Sequence, residues 1–198
     1  MGNTIITIAR EYGSGGRSIG KKLAEELGIN FYDSEMIMLV AKKSGYTEDF
    51  VRKAAEKVSV SFLYNLYMTS QELPASDQVF IATSNVIKEL AAKESCVIVG
   101  RCADYVLKDN PDAMKVFIHA PLEKRIERVK NEYKEEAKDY ASYVQKKDKN
   151  RASYYSYFAY GKWGRIQNYD LCVNSAIGIE ESVDVIKNYL SHFKGGKD

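Results

Sequence analysis

Cysteine is scarce and irregularly placed. Cys96, Cys102 and Cys172 make three, an odd number with no CxxC spacing. That argues against a disulfide framework and a cysteine-clustered metal site, and makes a reducing cytoplasm the expected setting. Histidine is scarcer still: His119 falls at a strand end and His192 near the C-terminus, with no partner spacing for a metal. No GxSxG or HExxH run occurs. Long apolar runs are also missing, since nothing approaches the roughly 20 residues of a membrane-spanning helix. The opening Met1-Gly2-Asn3-Thr4-Ile5-Ile6 lacks the basic and apolar pattern of a secretory signal. Ile6 also stands where myristoylation needs Ser or Thr. Neither charge is in surplus: 29 Lys and Arg against 27 Asp and Glu leave a net +2. No general affinity for nucleic acid or membrane follows. The run from Lys130 to Lys149, broken by Glu132, Glu135 and Glu136, reads as a solvated helix rather than a nucleic-acid stripe.

What is present is a globular composition, 45% hydrophobic over 198 residues, enough for one domain with a sizeable core. Tyrosine is abundant, 15 against 7 Phe and a single Trp. The unbroken run Thr4-Ile5-Ile6-Thr7-Ile8-Ala9 predicts a strand buried on both faces. It enters the glycine cluster Tyr12-Gly13-Ser14-Gly15-Gly16-Arg17-Ser18-Ile19-Gly20. Ile19, Leu23, Ala24 and Leu27 then fall at helical spacing, with Gly28 as the stop. Ile29 to Tyr32 predicts a second strand, with Asp33 or Ser34 capping a helix through Met36, Ile37, Val40 and Ala41. Residues 45 to 76 read as irregular helix broken at Pro74, and Asp77 to Lys93 as a long helix. Cys96 to Val99 and Lys115 to His119 predict further strands, the second followed by Pro121 and a helix holding Leu122, Ile126 and Val129. Residues 130 to 168 carry no strand signal. Leu171 to Val173 closes the strand set, Ile179 to Phe193 forms a final amphipathic helix, and 194 to 198 reads as a disordered tail. Alternation of strands and helices predicts an α/β domain on a parallel sheet.

A strand turning through glycines into a helix gathers backbone N–H groups around one concavity, at the positive end of the helix. Against the P-loop template GxxxxGK[ST], residues 11 to 18 read Glu11-Tyr12-Gly13-Ser14-Gly15-Gly16-Arg17-Ser18. Glu11 replaces the first glycine and Arg17 the lysine, while Gly16 and the hydroxyl of Ser18 keep their places. Arginine keeps the charge and can grip two phosphate oxygens at once. A nucleotide-phosphate site is favoured. A plain glycine corner, or an anion site without transfer chemistry, is the alternative.

The run Ile6 to Gly20 resembles the signature of the cytidylate kinase-like family, a branch of P-loop nucleoside monophosphate kinases with arginine in place of the loop lysine. Phe31-Tyr32-Asp33, Val97-Ile98-Val99-Gly100-Arg101 and Lys147-Asp148-Lys149-Asn150-Arg151 resemble later family segments in order, followed by Tyr169-Asp170-Leu171. The resemblance implies a single three-layer P-loop domain over residues 1–198, its five-stranded parallel sheet ordered 2-3-1-4-5. Residues 34–95 would form the acceptor-binding helical portion and 130–168 a helical lid. It further implies a phosphotransferase using ATP and Mg²⁺ on a small acceptor, with CMP or dCMP the first expectation. On this reading Gly13, Ser14, Gly15, Gly16, Arg17 and Ser18 cradle the donor phosphates, and Ser18 holds the metal. Asp33 lies near metal or acceptor, or caps a helix. Arg101 takes the acceptor phosphate, or makes a surface ion pair. Arg125 and Arg128 serve the lid, one of them reaching the phosphates, or form a solvated basic helix face. Arg151 serves the lid, with Arg17, Arg151 and Asp33 as the catalytic set.

Two departures bear on the acceptor. Cys102 stands where true cytidylate kinases carry an aspartate after the glycine-arginine pair, and Val144-Gln145 replace the lid's usual Arg-Asp pair. A same-fold kinase for another metabolite, or a nucleotide- or anion-binding sensor without turnover, are therefore the rival readings. Cys102 beside Arg101 lacks a base at nucleophile spacing, and His119 reads as structural. The tyrosines of residues 140–169, with Phe158 and Trp163, admit three roles: a homodimer interface, lid packing or base stacking.

Overall fold

The computed structural model describes residues 2–33 and 74–195. The expected helix at Met36 to Ala41, almost all of the irregular stretch 45–76, and residues 196–198 lie outside these. Numbered among the described residues, the elements are β1 (Ile5–Arg10), α1 (Gly16–Leu27), β2 (Asn30–Tyr32), α2 (Ala75–Lys93) and β3 (Cys96–Val99). They continue with α3 (Ala103–Val106), β4 (Ala113–His119), α4 (Leu122–Asn131), α5 (Tyr140–Ala159), β5 (Leu171–Asn174) and α6 (Ile179–Gly195). All strand pairs are parallel, in the order β2-β3-β1-β4-β5.

β1 lies at the centre, with Ile5 in register with Cys96 of β3 and with Ala113 of β4. Its period-2 alternation feeds two cores. Ile6 and Ile8 pack with Ile19 and Leu23 of α1, Val97, Val116, and Val183 and Ile186 of α6. Ile5 points the other way, into Ile87 and Ala91 of α2, Ile98, Ala103 and Leu107. Helices on both faces are what the β-branched, two-sided strands require. Ile5, Ile6, Ile8, Ile19, Ile87 and Ile98 are each under 2% or at 2% exposed, and each such side chain stabilises the fold by about 1.5–3 kcal/mol of burial.

Three elements depart from the expectation. β4 begins at Ala113, two residues early, and the four-residue α3 was not anticipated. The run from Lys130 to Lys149 is helical only to Asn131 and again from Tyr140, where Asp139 caps α5 by accepting from the N–H groups of Ala141 and Ser142. The sheet's topology brings Arg10, Asp33, Gly100-Arg101, Ala120 and Ser175 to its carboxyl edge, where open α/β sheets bind ligands.

Candidate active site

The glycine loop is built tightly onto that edge. Glu11 N–H donates to the Ile118 carbonyl at 2.9 Å, and Ser14 closes a turn on the Glu11 carbonyl with both its N–H (3.3 Å) and its hydroxyl (2.8 Å). Ser175 Oγ donates to the Ser14 carbonyl at 2.5 Å, tying the loop to the end of β5. Gly13 and Gly15 both have φ 78°, and Gly15 is the N-cap of α1. A Cβ at Gly15 would lie 2.7 Å from Ile179 Cδ1 and 3.1 Å from Arg128 Cζ, so both backbone and space require glycine. No side chain caps α1. The N–H groups of Gly16, Arg17 and Ser18 therefore have no intrahelical acceptor and form an anion-receptive helix start. Glu11, the departure from the template, has a structural task. Its carboxylate accepts from Ala120 N–H at 3.1 Å and pairs with Arg125 Nε at 3.4 Å.

The candidate arginines divide by partner. Arg17, 59% exposed along its side chain, turns to the end of β2 and pairs through Nε with Asp33 at 2.6 Å. Arg125, only 8% exposed, donates to the Asp148 carboxylate and, at 3.4 Å, to the Tyr12 carbonyl. It is a strut between loop, α4 and α5. Arg128 donates to the Gly13 carbonyl at 3.0 Å and to Glu132 at 3.2 Å, so it lies across the loop. Arg151 donates to the Arg10 carbonyl at 2.9 Å, with its guanidinium 5.1 Å over the Tyr12 ring. Burial pulls its pKa down, opposed by Asp148 and Tyr12. Arg101 sits in a run of three left-handed residues, Gly100 (φ 86°), Arg101 (φ 55°) and Cys102 (φ 53°). Two non-glycine residues held there cost on the order of 1–3 kcal/mol each, a strain that clusters at ligand sites. Burial raises the Tyr154 phenol to about 12, against the pull of Arg101 beside it.

Arg10 belongs to this group and was not anticipated. The last residue of β1, it is partly accessible, yet burial and then Arg151 pull it down to about 9, with Asp33 opposing and Arg101 adding to the fall. Its signal was positional: a cation on the final residue of a central strand, at the ligand edge.

Several tyrosines pack α5 and the segment before it inward. Tyr12 N–H donates to Asp148 Oδ1 at 2.6 Å, and the Tyr12 and Tyr143 hydroxyls donate to Glu135 at 2.5 and 2.9 Å. The Tyr12 ring meets Tyr133 and Tyr143 edge-on at 6.0 Å, with Lys147 5.4 Å above it. On the other side of α5, Phe158 stacks on Phe80 of α2 at 4.1 Å, and Tyr157 donates to Asp77 at 3.2 Å. Tyr160, 89% exposed, is the large aromatic of this segment left for a partner. Val144 is fully buried, so this position of α5 carries packing rather than charge. Cys102 is 6% exposed, and burial pushes its thiol up, with the pull of Arg101 smaller, which is unfavourable for a nucleophile. The carbonyl of His119 accepts from Ser175 Oγ at 3.2 Å, a structural contact.

Between α4 and the end of β5 a cavity of about 210 Å³, lined by Lys124, Glu127, Arg128, Asn131, Glu132, Ser175, Ala176 and Gly178, adjoins the loop through Arg128. Among the described residues no group of three or more His, Cys, Asp and Glu could hold a metal by itself, and no helix is long and apolar enough to cross a membrane.

Comparison with known proteins agrees with this fold. The cytidylate kinase-like family matches residues 5–177. A cytidylate kinase of Ignicoccus hospitalis is 26% identical over 193 residues, covering 94% of this chain and 99% of that one. An uncharacterized protein from Eubacterium ventriosum superposes with TM-score 0.73 at 29% identity, covering 96% of this chain and 99% of that one. A shikimate kinase from Bacteroides thetaiotaomicron shares the fold with TM-score 0.60 at 15% identity, over 95% and 98% of the two chains.

Proposed function

Since the chain belongs to the cytidylate kinase-like family, we propose that it transfers the γ-phosphoryl group of ATP to a small acceptor, CMP or dCMP first. The observation that carries this reading is the uncapped start of α1 in a glycine loop, with Arg10, Arg17, Arg101, Arg128 and Arg151 at the same sheet edge. Phosphoryl transfer asks for positioning and charge neutralisation rather than covalent chemistry.

On this proposal, the N–H groups from Gly15 to Ser18 hold the donor phosphates, with Gly13 and Ser14 shaping the loop. Arg128 bridges from those phosphates to the donor base in the adjoining 210 Å³ cavity. Arg17 leaves Asp33 to bridge the donor phosphates, and Asp33 is then free to face the metal or the acceptor. Arg101 takes the acceptor, and Arg151 covers the transferred group from the lid helix. The donor set fits magnesium, which prefers few carboxylates and keeps several waters. Ser18 Oγ, exposed in the first turn of α1, would hold it, with Asp33 nearby. When bound, it supplies neutralisation of phosphate charge. Arg125 supports this machinery as a strut rather than by touching phosphate.

One observation favours a different acceptor. A buried Cys102 offers almost no hydrogen bond to a base, and discrimination by hydrogen bonding is what makes such pockets selective. A same-fold kinase for another metabolite is the second reading. ADP release from ATP and Mg²⁺, measured over nucleoside monophosphates and hydroxylated metabolites, separates the cases. CMP-dependent release supports the first reading and another acceptor the second. Nucleotide binding without release makes the protein a sensor. A cytoplasmic setting is part of this proposal, supported by Cys96, Cys102 and Cys172 forming no disulfide, and a homodimer through 140–169 would have Tyr160 and Ile166 as exposed apolar surface.

A further inference from the structure

Arg10 is held in an unusual way. Its stem runs along the start of α1, where a Cβ on Gly16 would come within 2.6 Å of Arg10 Cβ. Its guanidinium lies against Gly100, where an added Cβ would be 2.1 Å from Nη1. Gly100 thus leaves room for the Arg10 head, in the strained turn that also aims Arg101. The arginine ion pairs among the described residues use Arg17, Arg125 and Arg128, and leave Arg10, Arg101 and Arg151 without one. Asp33, the carboxylate that opposes the fall of the Arg10 pKa, is already engaged by Arg17. Three like charges crowded together in a partly buried crevice are mutually unfavourable unless an anion joins them. The Gly100 contact places Arg10 beside Arg101 on the β3 side of β1, and Arg151 joins them from α5 through the Arg10 carbonyl, whereas Arg128 and the 210 Å³ cavity lie on the β4–β5 side.

We infer that Arg10 forms the floor of an acceptor-side anion subsite, where it and the Arg101 and Arg151 guanidiniums bind the phosphate dianion of a phosphorylated acceptor. This deepens the phosphoryl-transfer reading and rests on it for the word acceptor. Guanidinium forks suit phosphate oxygens in pairs, and two or three of them balance a dianion. An acceptor without a phosphate would leave the three charges facing one another.

The test is calorimetric titration of inorganic phosphate, CMP and cytidine into the full chain, with the donor loop first filled by saturating β,γ-methylene-ATP. Wild type is expected to bind phosphate and CMP, and cytidine at least tenfold more weakly than CMP. Arg10→Gln is expected to weaken phosphate and CMP at least tenfold and leave the affinity for the ATP analogue within twofold. Its melting temperature should equal or exceed that of wild type, because a repelled charge has gone. Arg10→Lys keeps the charge without the fork and should fall between. Unchanged phosphate and CMP affinity in Arg10→Gln, or no phosphate binding by wild type, overturns the subsite. So does a parallel loss of the ATP analogue, which would make Arg10 a packing residue. Should Arg10→Gln not fold, the same criteria apply to Arg10→Lys. If CMP neither binds nor turns over while phosphate binding still depends on Arg10, the CMP reading fails and the subsite stands. If CMP turns over and Arg10→Gln binds it normally, the subsite fails and the function stands.

Discussion

Arg125→Met is the most exacting test of how the loop and the lid segment are joined. The wild-type guanidinium is 10% exposed and engages Asp148, 17% exposed, together with Glu11 and the Tyr12 carbonyl. Methionine keeps much of the stem's packing and removes the charge, so two poorly solvated carboxylates lose their counter-ion. Breaking a buried pair from one side destabilises by about 3–5 kcal/mol. Partial exposure of Glu11, 26%, places this case near about 3 kcal/mol. For a chain of this size that corresponds to a fall in Tm of roughly 6–12 °C. Urea unfolding should show a lower midpoint with an unchanged slope. Adding Asp148→Asn to Arg125→Met should recover part of the loss, giving a coupling on the order of 1–2 kcal/mol. A single-variant loss under about 1 kcal/mol, or strict additivity in the double variant, would refute the strut.

Three further predictions follow from individual groups. Arg17→Ala breaks only an exposed pair, so its stability should stay within about 1 kcal/mol of wild type. Its kcat/KM for acceptor phosphorylation should nevertheless fall about 10- to 100-fold, the loss of one charge-assisted phosphate contact; wild-type turnover would remove Arg17 from the site. The Cys102 thiol, pushed up by burial, should resist a thiol-specific disulfide reagent at pH 8 in the folded protein and react on unfolding. Mass-spectrometric peptide mapping reads this, and fast labelling in the folded state contradicts it. Burial also raises the Asp104 carboxyl above its ordinary 3.8, opposed by the Tyr155 hydroxyl. The folded state then holds that proton more tightly than the unfolded chain, so stability is lost as pH rises above 3.8. Asp104→Asn lacks this loss, so its Tm relative to wild type should climb as pH rises above 3.8; a constant difference would contradict the assignment.

The central strand and the glycine loop were legible because they are local, whereas the order of the sheet came only from the family resemblance. An unbroken β-branched run, glycines at a strand-to-helix corner and alternating elements each carry their own signal. The helix α5 was not, because its apolar side chains are tyrosines that pack to two sides, onto Tyr12 and onto Phe80, and so draw no single stripe. The direction of Arg17 could not be read either, since it depends on Asp33, sixteen positions away in sequence and adjacent only after β2 forms. Glu11 looked like damage to a phosphate loop. Its partners, Ala120 N–H and Arg125, come from β4 and α4, which no local pattern links to it. The string Lys147 to Arg151 was readable, but that Arg125 is tied to Asp148 and Glu11 while Arg151 reaches the Arg10 carbonyl is a matter of tertiary contacts.

The central claim is that this edge of the sheet moves a phosphoryl group rather than merely holding a nucleotide. Phosphorus NMR of the full chain with ATP, Mg²⁺ and a panel of acceptors headed by CMP tests it most directly. The account predicts that ATP signals give way to ADP and, in equal amount, to a newly phosphorylated acceptor, with the conversion slowed by Arg17→Ala. Bound but unconverted ATP with every acceptor, or release of inorganic phosphate alone, would contradict it.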